Sequence, residues 1–144
     1  MRPAVLATIL LTACAADTDG LRPLKNGELA TALVGVWCNS DDGGRTCWAY
    51  DTFGPDGSLR ACGRFPDELE PFDGSGVVTV TGDVMCYRVT SATPNFWVKP
   101  GTSYCTRILA VSRTAHTYQD IESGRTYKLT RVPSDAGKCT TRQQ

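Results

Sequence analysis

The residues with chemistry to offer in this 144-residue chain are seven cysteines, one histidine and one acidic run. A structural zinc site wants its ligands in close pairs that fix a tetrahedron. Here the nearest cysteines are Cys38 and Cys47, and there is no CxxC. His116 stands without a serine motif such as GxSxG, so it reads as an exposed or edge histidine rather than a general base. The stretch Asp67-Glu68-Leu69-Glu70-Pro71-Phe72-Asp73 lacks the ligand spacing of a calcium loop and reads as a solvated loop. No glycine-rich phosphate loop follows a strand. Neither a metal nor a cofactor is expected, and nothing asks for an enzyme. The 15 basic and 15 acidic residues form no basic cluster, which argues against nucleic acid. So many cysteines in so short a chain read as a disulfide framework built in an oxidising compartment.

The seventh cysteine has a separate reading. Arg2, the apolar run Ala4 to Leu11 and the small residues Thr12-Ala13 lead directly into Cys14. The apolar stretch is too short for a bilayer, which needs about 20 residues, but suits a signal peptide. Leu11-Thr12-Ala13-Cys14 resembles the lipobox of bacterial lipoproteins. The resemblance implies cleavage before Cys14 and acylation of that residue, and several acyl chains give stable anchoring. Ala15 after the cysteine resembles the sorting preference that sends Gram-negative lipoproteins to the outer membrane. The expectation is a cell-envelope protein, lipid-anchored on the periplasmic face of that membrane. Ala13-Cys14-Ala15 also satisfies an ordinary secretory cleavage site, and that alternative stays open. With Cys14 set aside, six cysteines remain.

The organisation expected is a signal peptide over 1–13, a tether over 14–26 and one domain over 27–144. Asn26 is placed to cap a short helix over 27–33, with Leu29, Ala30 and Leu33 on one side. Turn signals then recur about every ten residues, at Asp42-Gly43, Pro55-Asp56-Gly57, Gly74-Ser75-Gly76, Gly82-Asp83, Pro100-Gly101 and Ser123-Gly124. Between them eight strands are predicted near 35–40, 45–53, 58–65, 76–81, 84–92, 103–112, 115–121 and 125–132. Short strands at even spacing predict an all-β antiparallel barrel or sandwich.

If Asp42-Gly43 is a two-residue turn, Cys38 falls opposite Cys47 and within bridging range. Trp37, Trp48 and Tyr50 then point inward. The same alternation puts Cys62 outside with Arg60 and Arg64, Cys86 with Arg88, and Cys105 with Arg107. Leu59, Ala61, Phe65, Met85, Tyr87, Val89, Ile108 and Ala110 turn inside. Six cysteines allow fifteen pairings, and Cys86–Cys105 and Cys62–Cys139 are the favoured other two.

The stretch Leu33-Val34-Gly35-Val36-Trp37, after a short helix, resembles the opening of lipocalin-like proteins. There a G-x-W tryptophan crosses the closed base of an eight-stranded up-and-down barrel, and an arginine near the end of the last strand packs over it. Arg131 in Tyr127-Lys128-Leu129-Thr130-Arg131-Val132 occupies that place. The resemblance implies a lipocalin-like barrel binding a small apolar or amphipathic ligand. Trp48, Tyr50, Tyr87 and Tyr118 would line its pocket, with Trp97 in the loop Ser91–Thr102 as a lid. A second reading is a periplasmic inhibitor or immunity lipoprotein that binds a protein. Ser123-Gly124-Arg125-Thr126-Tyr127 and Phe96-Trp97-Val98-Lys99-Pro100-Gly101 resemble motifs of the bacterial lysozyme inhibitors, in reversed order. A third is a structural envelope protein with a filled core.

Overall fold

A computed structural model describes residues 27–136. The signal, the tether, Cys14 and Cys139 lie outside the described residues. So, with Cys139, does the expected Cys62–Cys139 bridge.

A six-residue helix, α1 (Glu28–Leu33), is followed by eight strands. They are β1 (Gly35–Asn39), β2 (Ala49–Phe53), β3 (Ser58–Gly63), β4 (Phe72–Thr81), β5 (Val84–Ala92), β6 (Ser103–Val111), β7 (Ala115–Asp120) and β8 (Thr126–Val132). Each strand pairs antiparallel with the next, and β8 returns to β1, closing an up-and-down barrel. Closure leaves no free sheet edge, so every strand is paired on both sides. Gly27 rather than Asn26 sits at the helix N-cap. Leu29 and Leu33 are buried as expected, whereas Ala30 is exposed and Ala32 packs against the core in its stead.

Among the described residues two disulfides bind the wall. Cys86 and Cys105 are directly opposed on β5 and β6, with Cα atoms 4.1 Å apart. Cys38–Cys47 also forms, with Cα atoms 5.4 Å apart, but not as a cross-strand pair. The chain makes no two-residue turn at Asp42-Gly43. Residues 40–48 form a long loop, and Cys38 is opposite Tyr50 instead. That loop folds back over the outer wall, where Gly44 lies against Thr130 on β8. Cys38 is fully covered there.

The longer loop corrects the facing of β2. Tyr50 is opposite both Cys38 and Cys62, which places it on the outer face and removes it from the pocket. Asp51, opposite Trp37 and Ala61, turns inward instead. β4 begins at Phe72 rather than 76, because Gly74-Ser75-Gly76 is strand and not turn. Glycine inside a strand often marks a bulge or a close approach, and both occur. The register shifts between Ser75 and Gly76, and a side chain on Gly74 would strike the Phe96 ring. A second shift lies between Ile108 and Ala110, so Val111 enters the core and Ala110 turns out.

Candidate functional site

The two ends of the barrel differ. At the base, α1 and the β2–β3 turn lie together. Trp37 is fully buried, and its Nε1 donates to the Leu33 carbonyl at 2.7 Å, fastening helix to strand. The Arg131 guanidinium lies 4.1 Å over the Trp37 ring. It also donates to the carbonyls of Val34 at 2.7 Å and Ala32 at 2.6 Å. The helix end would otherwise leave those acceptors unpaired, so one cation serves the ring and the helix together. Gly35 is required beneath it. Its φ is +135°, and a Cβ there would collide with Arg131 Nη1.

His116 belongs to this base and not to the surface. It is 1% exposed, edge-on to Trp37 at 5.4 Å and against Tyr118 at 5.3 Å. Neither ring nitrogen has a hydrogen-bond partner among the described residues. Burial, reinforced by the charge of Arg131, pushes its pKa down to about 4. A neutral imidazole packed on a tryptophan fills space here. The expectation of an exposed histidine is corrected, and the buried ring is explained by its place beside Trp37.

At the other end the barrel is open. A cavity of about 250 Å³ runs from the mouth into the barrel. Among its walls are Trp48, Phe65, Tyr87, Trp97, Tyr104, Tyr118 and Tyr127, with Leu59 and Ala61 deeper. Trp48, Tyr87, Tyr118 and Trp97, four of the five residues expected to line it, are brought together. Trp97 is 45% exposed at the rim, and its Nε1 donates to Tyr87 Oη at 2.9 Å. Phe96 stacks on it at 4.0 Å but is itself buried, wedged over Gly74 and Phe72. Phe96 thus fastens the loop between β5 and β6 to the wall, and Trp97 is left at the cavity rim.

A second, larger pocket of about 400 Å³ lies at the base, between α1, the β2–β3 turn and β4. Its one carboxylate, Asp56, accepts from the Ser58 amide and hydroxyl within its own turn. The barrel cavity is the better site because its aromatic walls enclose a polar floor.

That floor holds the residue that sequence reasoning missed. Asp51 projects into the cavity, and among the described residues its carboxylate has one hydrogen-bond partner, Asn39, whose Nδ2 donates to Oδ2 at 3.2 Å. It is half-buried and lines a cavity that is open at its mouth. Burial pushes its pKa up to about 6, with the Asn39 contact opposing. Burial first and the Asp51 charge second push the Tyr87 and Tyr118 hydroxyls well above their ordinary range. Tyr104 donates to Asp120 Oδ2 at 2.6 Å, and that carboxylate also accepts from the Glu122 and Ser123 amides. These contacts, Tyr104 foremost, hold the Asp120 carboxyl below its usual value. Thr106 Oγ1 and Trp48 Nε1 also line the cavity, buried and without partners among the described residues. Asp51 sits on the strand next to the G-x-W row, and its register opposite Trp37, which the loop length sets, gives it the tryptophan's inward face.

No group of three or more His, Cys, Asp or Glu among the described residues is placed to hold a metal. No family model and no curated protein matches the chain. Solved structures do. A lipocalin-like protein from Bacteroides uniformis superposes with a TM-score of 0.51 at 13% identity, covering 70% of this chain and 99% of that one. An uncharacterized protein from Bacteroides eggerthii gives 0.51 at 13% identity, over 69% and 98%. The likeness is one of fold, and the chain carries a lipocalin-like barrel: eight antiparallel strands closed on themselves, with a short helix at one end.

Proposed function

We propose that this protein is a binding protein, not an enzyme, whose barrel takes up one small amphipathic ligand through the open mouth. The observation that carries the reading is the aromatic cavity of about 250 Å³. An eight-stranded barrel is just wide enough either to fill with side chains or to hold one small guest. A dry cavity of about 150 Å³ accepts benzene, and drug-sized sites begin near 300 Å³, so the guest is a single-ring molecule or one of similar bulk. Unpartnered Thr106 and Trp48 polar atoms in the wall support a guest with polar groups of its own.

The compartment is part of the same proposal. The Leu11-Thr12-Ala13-Cys14 signal and the disulfide-bonded wall support an acylated protein at the periplasmic face of the outer membrane. A periplasmic protein partner is the second reading, supported by Leu69, 88% exposed, and Trp97 on the rim. Titration with 2-phenylethanol, a neutral single-ring probe, followed by tryptophan fluorescence, separates the two. Saturable one-site binding lost in Ala61→Phe, which fills the cavity floor, supports the pocket. Absence of any saturable response contradicts it.

A further inference from the structure

The cavity's polar groups are not evenly distributed in charge. Its lining contains two carboxylates, Asp51 and Asp120, and no basic residue among the described ones. They are not equivalent. Asp120 already accepts from the Tyr104 hydroxyl and from two backbone amides. Asp51 accepts from one neutral amide at 3.2 Å. An ionised carboxylate offers about four acceptor sites, so Asp51 keeps most of its capacity facing the cavity. Among the described residues no cation lines the cavity. Arg131 is turned into the base, onto Trp37 and two carbonyls, and Arg60 pairs with Asp73.

The walls around this free acceptor are aromatic. Tyr87, Tyr104 and Tyr118 stand on β5, β6 and β7, with Trp48 and Trp97 from two of the loops at the mouth. The Tyr87 and Tyr104 rings are 5.2 Å apart, and Tyr118 stacks on Tyr127 at 5.3 Å. Ring faces attract a desolvated cation, and a carboxylate on the floor adds a charge-assisted hydrogen bond. An anionic guest would meet two like charges and no counter-charge.

We propose that the ligand is a small organic cation, an ammonium carried on one ring or an alkyl body of that size. Its charged nitrogen sits on Asp51 and its apolar body lies between the tyrosines and Trp97. This rests on the pocket reading above and adds the charge of the guest. Asp51 is a binding residue in direct contact with the ligand. The other titratable groups of the cavity are Tyr87, Tyr104, Tyr118, Tyr127 and Asp120, with His116 and Arg131 below in the base. Burial sets the Asp51 carboxyl at about 6, so its charge is present at pH 8 and largely lost at pH 5.

The test is an isothermal titration with three probes of one shape: 2-phenylethylammonium, 2-phenylethanol and 3-phenylpropionate. At pH 8 the ammonium binds about tenfold or more tighter than the alcohol, the scale of one charged hydrogen bond, and the carboxylate binds most weakly. In Asp51→Asn the ammonium loses that advantage while the alcohol keeps its affinity, which also shows that the variant is folded. Asp120→Asn retains the preference for the cation. Equal affinity for ammonium and alcohol, or a preference that survives Asp51→Asn, overturns the inference and leaves the pocket standing. Failure of all three probes to bind removes the pocket and the inference together.

Discussion

Replacing Asp51 by Asn isolates the energetic consequence of a carboxylate placed on the floor of a barrel. In the folded protein the carboxyl pKa is about 6, against 3.8 for the free group, and burial is the first cause. Each unit of difference corresponds to about 1.36 kcal/mol, so ionised Asp51 lowers stability by about 3 kcal/mol at pH 8. Because the folded value is raised, the folded state holds its proton more tightly than the unfolded chain. Stability from this group is therefore full below pH 4 and is lost as pH rises through about 6. Asn removes the charge but keeps the shape and an oxygen for the Asn39 amide. Asp51→Asn should then be more stable than the parent by about 2–3 kcal/mol at pH 8, with cavity water screening part of the full value. The gain should shrink through pH 6 and vanish near pH 4. Urea unfolding followed by tryptophan fluorescence, with disulfides intact, at five values from pH 4 to pH 8 measures it. Taking the difference between variant and parent cancels every other titrating group. A gain that is constant with pH, or a loss at pH 8, refutes the placement of Asp51 in a desolvated site. A charge that weakens the fold and contacts a cavity is the pattern expected of a functional group rather than a structural one.

The base makes its own predictions. Arg131→Ala removes two charged hydrogen bonds and the contact with Trp37, and should cost about 3–5 kcal/mol in urea unfolding; Arg131→Lys recovers little, because an ammonium cannot stack and fork at once. Gly35→Ala should cost about 2 kcal/mol or more, since the residue needs φ of +135° and the space is taken by Arg131. His116 has the opposite pH sign to Asp51. Its folded value is lowered to about 4, so its contribution is present above pH 6.5 and lost as pH falls toward 4. His116→Phe should gain on the parent by about 3 kcal/mol between pH 7 and pH 4, whatever its offset from packing. Serines at both Cys86 and Cys105 should lower stability by about 2–4 kcal/mol without changing the far-ultraviolet spectrum of the barrel.

Much of the barrel was legible because its turns are signed by glycine and its strands alternate cleanly. Gly57, Gly82, Gly101 and Gly124 all adopt positive φ in the turns expected of them. Cysteine and arginine on β3, β5 and β6 reported the outer face, which put Leu59, Ala61, Met85, Tyr87 and Val89 inside. What could not be read was loop length. Asp42-Gly43 has the composition of a tight turn, yet the Cys38–Cys47 bridge holds a nine-residue excursion against the outer wall, and the register of β2 moved with it. That single shift exchanged Tyr50 for Asp51 in the cavity. Gly74-Ser75-Gly76 misled for a related reason: its glycines admit the Phe96 plug and a bulge, not a turn. His116 was misjudged although Tyr118, two residues on in the same strand, was expected inside: alternation gives both one face, and the β7–β8 register sets His116 opposite Leu129.

Native mass spectrometry of the protein purified from its native host reads the occupant of the barrel directly. The expected result is a barrel carrying one small molecule that contains a basic nitrogen, with the bound species absent from Ala61→Phe. A parent protein that flies as the bare polypeptide, or one whose bound small molecule persists unchanged in Ala61→Phe, contradicts it.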